Sequence, residues 1–452
     1  MTIRKRRALF YVLAVLFVIG GGGAALYSQG FRINPETLEL QKTGAIFLKS
    51  EPPYSEIKIN GKIFENKSGI LKSGTLIDDL TPGRYRVSVS QSGYSTWEKS
   101  LEVAPSLVAE AVSIALIPDE KPELKIQSGV DDFWVNGENV VWRDARGALW
   151  KKTGDKKIKI IGDNIVDWKG GSNRLIVFSI KNNAYFLVDF DNLDSSLNLN
   201  SLFNNLKERQ LRLAGAVEIK SALHHPFDDN KIIIATKRAV YVLDTAKLSL
   251  ETVEENADPV AIIAANSEIV WADDQNRVFA HNLMLKRASP IGEANGEISA
   301  LHLSPSGYYL IAEIRDGAPL LFNRRDQKVT GLPPVRVPPV FSPDEKKIAV
   351  LSLSGDLKIY FLENQIKNVN KKAGDVAVLL ADAGNPQAIS WHDDSLHVFL
   401  QYPKGLSFAE IDDRPPVNVA EIDGDISKSS RAGGKIYALK NGDLYEIAVF
   451  ED

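Results

Sequence analysis

Cysteine is absent from the 452 residues, which excludes disulfides, thiolate metal sites, cysteine nucleophiles and the acylated cysteine of a lipoprotein. A surplus of either charge is missing as well. The 54 basic and 58 acidic side chains leave a formal net charge of -4, so no whole-chain basic surface exists to neutralise phosphates, and no nucleic-acid partner is expected. The motifs of common chemistries are lacking too: no G-x-S-x-G elbow, no H-E-x-x-H pair and no phosphate-cradling glycine loop with lysine. The reading is therefore non-enzymatic, with no catalytic residue, no metal and no cofactor expected.

At 44% hydrophobic and 25% charged, the composition is that of a globular chain too long for one simple core, so two or more folded units are expected. The first is a membrane segment. Arg4, Lys5, Arg6 and Arg7 precede an uncharged, mostly apolar run over residues 8–28, and a helical span needs about 20 residues. The basic tip predicts a cytoplasmic N-terminus, a single pass through the bilayer and an exterior chain from about Phe31. A cleaved secretory signal is the alternative, because Gly20–Gly23 and Ala24–Ala25 supply small residues for a peptidase. Residues 29–42 read as a polar linker in which Pro35 stops the helix.

Residues 43–118 alternate with period two between turn signals (AIFLKS, EIKING, RYRVSVS, SLEVAPSLVAEAVSIALI), which predicts a small antiparallel β-sandwich. Asn60-Gly61 is a tight-hairpin pair, Thr81-Pro82-Gly83 opens a strand, and Ser92-Gly93-Tyr94 closes it. Pro52-Pro53, Ile59-Asn60-Gly61, Leu80-Thr81-Pro82-Gly83 with Tyr85, and Gly93-Tyr94 followed by Trp97 together resemble the PEGA domain. The chain departs from that pattern at Tyr54-Ser55, where the family usually shows Gly-Ala, and in extra residues after the hairpin (IFENKSGILKSG). The resemblance implies a tethered extracytoplasmic adaptor of the cell envelope with no catalytic residues.

Residues 119–452 repeat with a period of about 40 residues, the spacing of β-propellers. ISALHLSPSGYYLIAEIRDGAPLLFN from Ile298 and VPPVFSPDEKKIAVLSLSGDLKIYFL from Val337 align almost position for position, each with a Ser-Pro turn after its first strand. Copies from Ile219 and Ala388 carry His-Pro or His-Asp at that turn, and weaker copies begin at Val130, Ile165, Ala261 and Ile426. The expected fold is all-β, with an N-terminal transmembrane helix, a PEGA-like sandwich and a propeller of about eight blades, seven being the alternative. The last copy lacks a fourth strand, and ELKIQS near Glu123 stands alone before the first, so the two are expected to close the ring together. The stretch FSPDEKKIAVLS resembles the hallmark of WD-repeat-like bacterial propellers, with Glu345 in the usual glycine place; this implies a fold and no function.

Several clusters have both a functional and a plain reading. His224, His225, Asp228 and Asp229 are of ligand type, as are His392, Asp393 and Asp394, but both groups occupy the Ser-Pro turn position of sister repeats, and the turn role is preferred. Asp412-Asp413 and Asp423-Gly424-Asp425 lack the ligand order of a calcium loop and read as polar turns. Trp134, Trp142, Trp150 and Trp168 could stack on sugars, although packing between blades is preferred. Lys151, Lys152, Lys156, Lys157 and Lys159 could touch anionic polymer or lipid, with a solvated turn as the plainer reading. Between Asp191 and Leu213, the spacing of Leu199, Leu202, Phe203 and Leu206 predicts a short amphipathic helix. Those four residues are the candidate binding residues, as a partner-docking face; the alternative is a lid packed back on the propeller.

The expected function is that of a membrane-anchored extracytoplasmic binding or scaffold protein, monomeric, with the bilayer held through residues 8–28 and an envelope protein, peptide or glycan as partner. A propeller hydrolase or lyase with a channel-centred site, and a purely structural spacer, are the rivals.

Overall fold

The computed structural model describes residues 3–33, 39–67, 74–137, 139–153, 156–162, 164–171, 173–190, 192, 196–365 and 370–450. Pro35 and half of the insertion after the Asn60-Gly61 hairpin, residues 68–73, lie outside them. The chain is all-β apart from two α-helices among the described residues, α1 (Ile3–Ser28) and α2 (Leu199–Leu211). Within α1, Leu9–Ser28 is 20 residues of mean hydropathy 2.2, long and apolar enough to cross a membrane; a secretory signal passes the same test.

The chain divides into two compact units. The first comprises Met1–Glu120 together with two later segments, Asn364–Ala373 and Ala409–Ala420. Besides the short antiparallel pair Phe31–Ile33 and Leu40–Lys42, its two larger sheets form a sandwich. One has the order Lys62–Phe64, Glu56–Ile59, Gly83–Ser90, Trp97–Val103, and the other Thr75–Leu80, Gly44–Glu51, Val108–Ala115. The period-two pattern buries alternate residues between them, among them Ile46, Leu48, Ile57, Val87, Val89, Trp97 and Leu101.

Asn60 and Gly61 both adopt positive φ (47° and 79°) in a two-residue loop that pairs Ile59 with Lys62, the geometry that Asn-Gly favours. The expectation of an all-antiparallel sandwich is corrected in one place: Gly44–Glu51 runs parallel to Val108–Ala115, with Ala45 opposite Val108. The run SLEVAPSLVAEAVSIALI breaks at Ala104–Leu107 into strands belonging to different sheets, and crossing between sheets delivers Val108–Ala115 parallel to Gly44–Glu51. A strand at Thr75–Leu80 joins the turn-rich stretch that the alternation did not reveal.

The second unit is the propeller. Among the described residues, eight four-stranded antiparallel sheets follow the eight sequence copies: blades 1 to 7 over residues 130–161, 165–198, 221–255, 259–293, 298–331, 340–380 and 388–423, and blade 8 over 426–447; the segments Asn364–Ala373 of blade 6 and Ala409–Ala420 of blade 7 are those counted with the first unit. In blade 8 the fourth strand is Glu123–Ser128, paired antiparallel with Asp443–Ile447, so the first strand of the unit completes the last blade. That pairing closes the ring by hydrogen bonds and leaves no open interior edge.

The second strands read as continuous apolar runs, as in Lys347–Leu351 and His397–Gln401, because neighbouring blades cover both of their faces. Outermost strands such as Lys328–Gly331 are exposed throughout. Helix α2 follows the last strand of blade 2. Asn198 caps its N-terminus by accepting from the Ser201 amide at 2.9 Å, and Arg212 ends it in the left-handed region at φ 56°.

Candidate functional site

In an antiparallel blade the turns after the first and third strands share one face, and the remaining loops share the other. The turn face carries the repeat's signature. In blade 5 the Ser304 amide donates to the Tyr309 carbonyl at 2.9 Å; Ser342 to Lys347 in blade 6 and His392 to His397 in blade 7 do the same at 2.9 Å, and His225 to Lys231 in blade 3 at 3.2 Å. The third turn position takes positive φ in Gly307 (79°), Glu345 (57°) and Ser395 (59°), which is why glycine is usual there and why Glu345 stands out. The turn role of His225, His392 and their aspartates is thus real. His224 instead ends the first strand of blade 3, with Nε2 3.0 Å from the Lys169 carbonyl.

The blade 7 turn holds more than a turn requires. Asp394 lies between two imidazoles: Oδ1 is 3.1 Å from His392 Nδ1, and Oδ2 is 2.7 Å from His397 Nδ1. Burial pushes the Asp394 carboxyl upward, but the two histidines outweigh it and hold the group well below the usual carboxylate range. Phe408 stacks on His397 (4.5 Å, 16°) and Phe450 packs on His392 at 4.9 Å. Sequence reading grouped His392 with Asp393 and Asp394 and missed His397. Asp393 turns outward to Arg431, and the signal for His397 was its register with Lys347 of blade 6.

The acidic pairs read as polar turns are met by cations. Asp423 binds Lys440 at 2.7 Å and also accepts from the Asp425 amide, Asp412 accepts from Arg414, and Asp413 pairs with Lys371 at 2.5 Å. The tryptophans pack between blades: Trp142 is buried in a core with Tyr437 and Leu439 of blade 8, beside Trp150, which donates to Asp144 at 2.9 Å, while Trp134, 6.1 Å from Phe190, and Trp168 pack on the core between blades 1 and 2. Lys151, Lys152, Lys157 and Lys159 lie on the outer hairpin of blade 1, where Lys151 covers Phe190 and Lys159 covers Trp150; the Lys156 side chain falls outside the described set.

Helix α2 forms as the spacing predicts, but the docking face does not survive. Leu199, Phe203 and Leu206 are buried, and with Leu202 they join a core with Ile176, Ile232 and Tyr241 of blades 2 and 3. Apolar side chains already withdrawn from water offer no driving force to a partner. The packed-lid alternative describes what α2 does.

The loop face bears an open cleft of about 740 Å³, and sequence reasoning had no signal for it. Its walls come from the second-to-third strand loop of blade 5 (Asp316, Pro319), the connection between blades 5 and 6 (Pro334, Val335, Pro338) and Leu353 of blade 6. Leu353 is 58% exposed. Arg336 is held at one side by the Leu353 and Gly384 carbonyls and by Asn385, and Glu313 at the other pairs with His302.

No protein-family model matches the chain, and no curated protein matches its sequence. Solved structures do. The C-terminal WD40 domain of Sif2 is similar over 73% of this chain and 99% of its own, at 12% identity and a TM-score of 0.48. Hsv2 of Kluyveromyces lactis is similar over 65% and 98% (12% identity, TM-score 0.45), and BamB from Moraxella catarrhalis over 72% and 96% (12%, 0.43). At such identities the likeness is one of fold.

Proposed function

We propose that this chain is a membrane-anchored extracytoplasmic scaffold whose propeller binds an extended segment of a cell-envelope protein. The carrying observation is the loop-face cleft, where the exposed Pro334, Pro338 and Leu353 and the half-buried Val335 form an apolar wall, Pro319 being buried. An open cleft lined by apolar side chains together with Glu313, Asp316 and Arg336 suits an extended ligand that offers both apolar and polar groups. In this reading no residue does covalent chemistry, α1 is a retained anchor with its basic tip in the cytoplasm, and the sandwich serves as a PEGA-like adaptor.

Two experiments test it. A reporter active only outside the cytoplasm, fused after Lys42, should be active and membrane-bound; an inactive reporter refutes the topology, and a released one refutes the anchor. Residues 30–452, offered to envelope protein and glycan fractions, should retain a protein that Leu353→Glu releases. Retention unchanged by that substitution would move the binding site elsewhere.

A further inference from the structure

Blades 6 and 7 build the same turn with different side chains. In blade 6 the Ser342 hydroxyl donates to Asp344 at 2.6 Å, and Lys347 pairs with the other carboxylate oxygen at 2.7 Å. In blade 7 His392 replaces the serine and His397 the lysine, while Asp394 keeps the aspartate's place and still caps the turn by accepting from the Leu396 amide at 2.8 Å. Two imidazoles thus stand around the blade 7 aspartate where blade 6 has a hydroxyl and an ammonium, and unlike those groups an imidazole can give its nitrogen to a metal. Blade 3 makes the contrast sharper: it has His225 at the first position but keeps Lys231, paired with Asp228 at 3.0 Å. A lysine there would repel a cation.

We propose that His392, Asp394 and His397 bind one divalent transition-metal ion of the zinc class, through the two imidazole Nδ1 atoms and the carboxylate, with a fourth position left to water. The three donor atoms lie within 4.8 Å of one another. Bonds of about 2.0–2.1 Å in tetrahedral geometry place ligand atoms about 3.4 Å apart, so small side-chain rotations complete the set. Two nitrogens and a carboxylate oxygen are borderline ligands that suit zinc over calcium or magnesium. Phe408 and Phe450 pack against the two rings and supply an apolar surround of the kind that tunes a metal site. Lys347 and Arg431 are the nearby cations; Lys347 is held by Asp344 at 2.7 Å, and Arg431 bonds to Asp393 and to the Trp391 carbonyl. Because Phe450 lies just past the last strand of blade 8, an ion here fastens the blade 7 turn beside the ring's closing seam.

The test uses the full chain in detergent micelles, stripped with chelator. Wild type should take up one equivalent of Co²⁺ with a visible ligand-field band, and Zn²⁺ should raise its melting temperature. The variant H392S/H397K, which rebuilds the blade 6 turn, should keep the metal-free melting temperature and bind at least ~100-fold more weakly, since even outer partners of metal ligands are worth up to that factor. His397→Lys alone gives the same readout should the double variant fail to fold. No uptake by wild type at roughly tenfold metal excess, or equal uptake by wild type and variant, overturns the site.

Discussion

Lys99 offers the sharpest test of how the first unit is held together. Its side chain is fully buried on the edge strand Trp97–Val103, its ammonium pairs with Glu410, and it donates to the Asp412 carbonyl at 2.9 Å, with the Asp412 carboxylate 3.6 Å away. Glu410 also accepts from the Trp97 indole at 2.8 Å and from Asn418 at 2.7 Å. Alongside, the Asn418 side chain exchanges bonds with the Glu98 backbone (3.0 and 2.9 Å), and the Ser100 amide donates to the Pro415 carbonyl at 2.9 Å. The segment Ala409–Ala420 thus covers an edge that would otherwise be open.

Lys99→Met removes the cation and leaves two buried carboxylates. Breaking a buried pair from one side costs about 3–5 kcal/mol, and because Arg414 still neutralises Asp412 we expect the lower end. Adding Glu410→Gln removes the orphaned charge while retaining an acceptor for Trp97 and should recover roughly 2 kcal/mol of the loss. Amide hydrogen exchange of a peptide covering Trp97–Val103 reports this unit separately from the propeller, which a global melt does not. Protection in Lys99→Met within about 1 kcal/mol of wild type would show that the ion pair contributes nothing beyond its shape.

Phe203→Ala in α2 should destabilise the propeller by about 3–5 kcal/mol, since its fully buried ring packs 5.2 Å from Tyr241; a cost below 1 kcal/mol by urea unfolding would mean that α2 detaches freely. Burial pushes His224, His225 and His281 below the ordinary histidine range, and the Nδ1 atom of each is buried without a partner. The unfolded chain therefore takes up protons first as pH falls through about 6.5, so stability should drop between neutral pH and the lowered native values; equal melting temperatures at pH 7.5 and 5.5 would contradict this. Glu345→Gly should stabilise blade 6 by up to about 1 kcal/mol, because a non-glycine residue sits at φ 57° where blade 5 has Gly307; thermal melting reads the sign.

The sequence by itself determined the elements whose physics is local. Asn60-Gly61 requires positive φ at both positions and so encodes a hairpin whatever surrounds it, and apolar runs recurring about every 40 residues, two of them with Ser-Pro turns, encode eight blades. The lone strand Glu123–Ser128 and the missing fourth strand of blade 8 were a legible pair for the same reason: an unpaired edge must be satisfied. The amphipathic spacing of α2 showed a helix with one apolar face, but burial of that face depends on what lies opposite, and only the fold put blades 2 and 3 there.

Tertiary structure alone decided the parallel pairing of Gly44–Glu51 with Val108–Ala115, the buried charge of Lys99 and the loop-face cleft. An isolated Lys, Glu or Pro carries no periodicity and no turn requirement, so nothing in the chain around Lys99 announces partners more than three hundred residues away. His397 stands between these cases: three residues from Asp394, it was readable only against the register of blade 6, because the turn that makes it converge with His392 is a property of the folded blade.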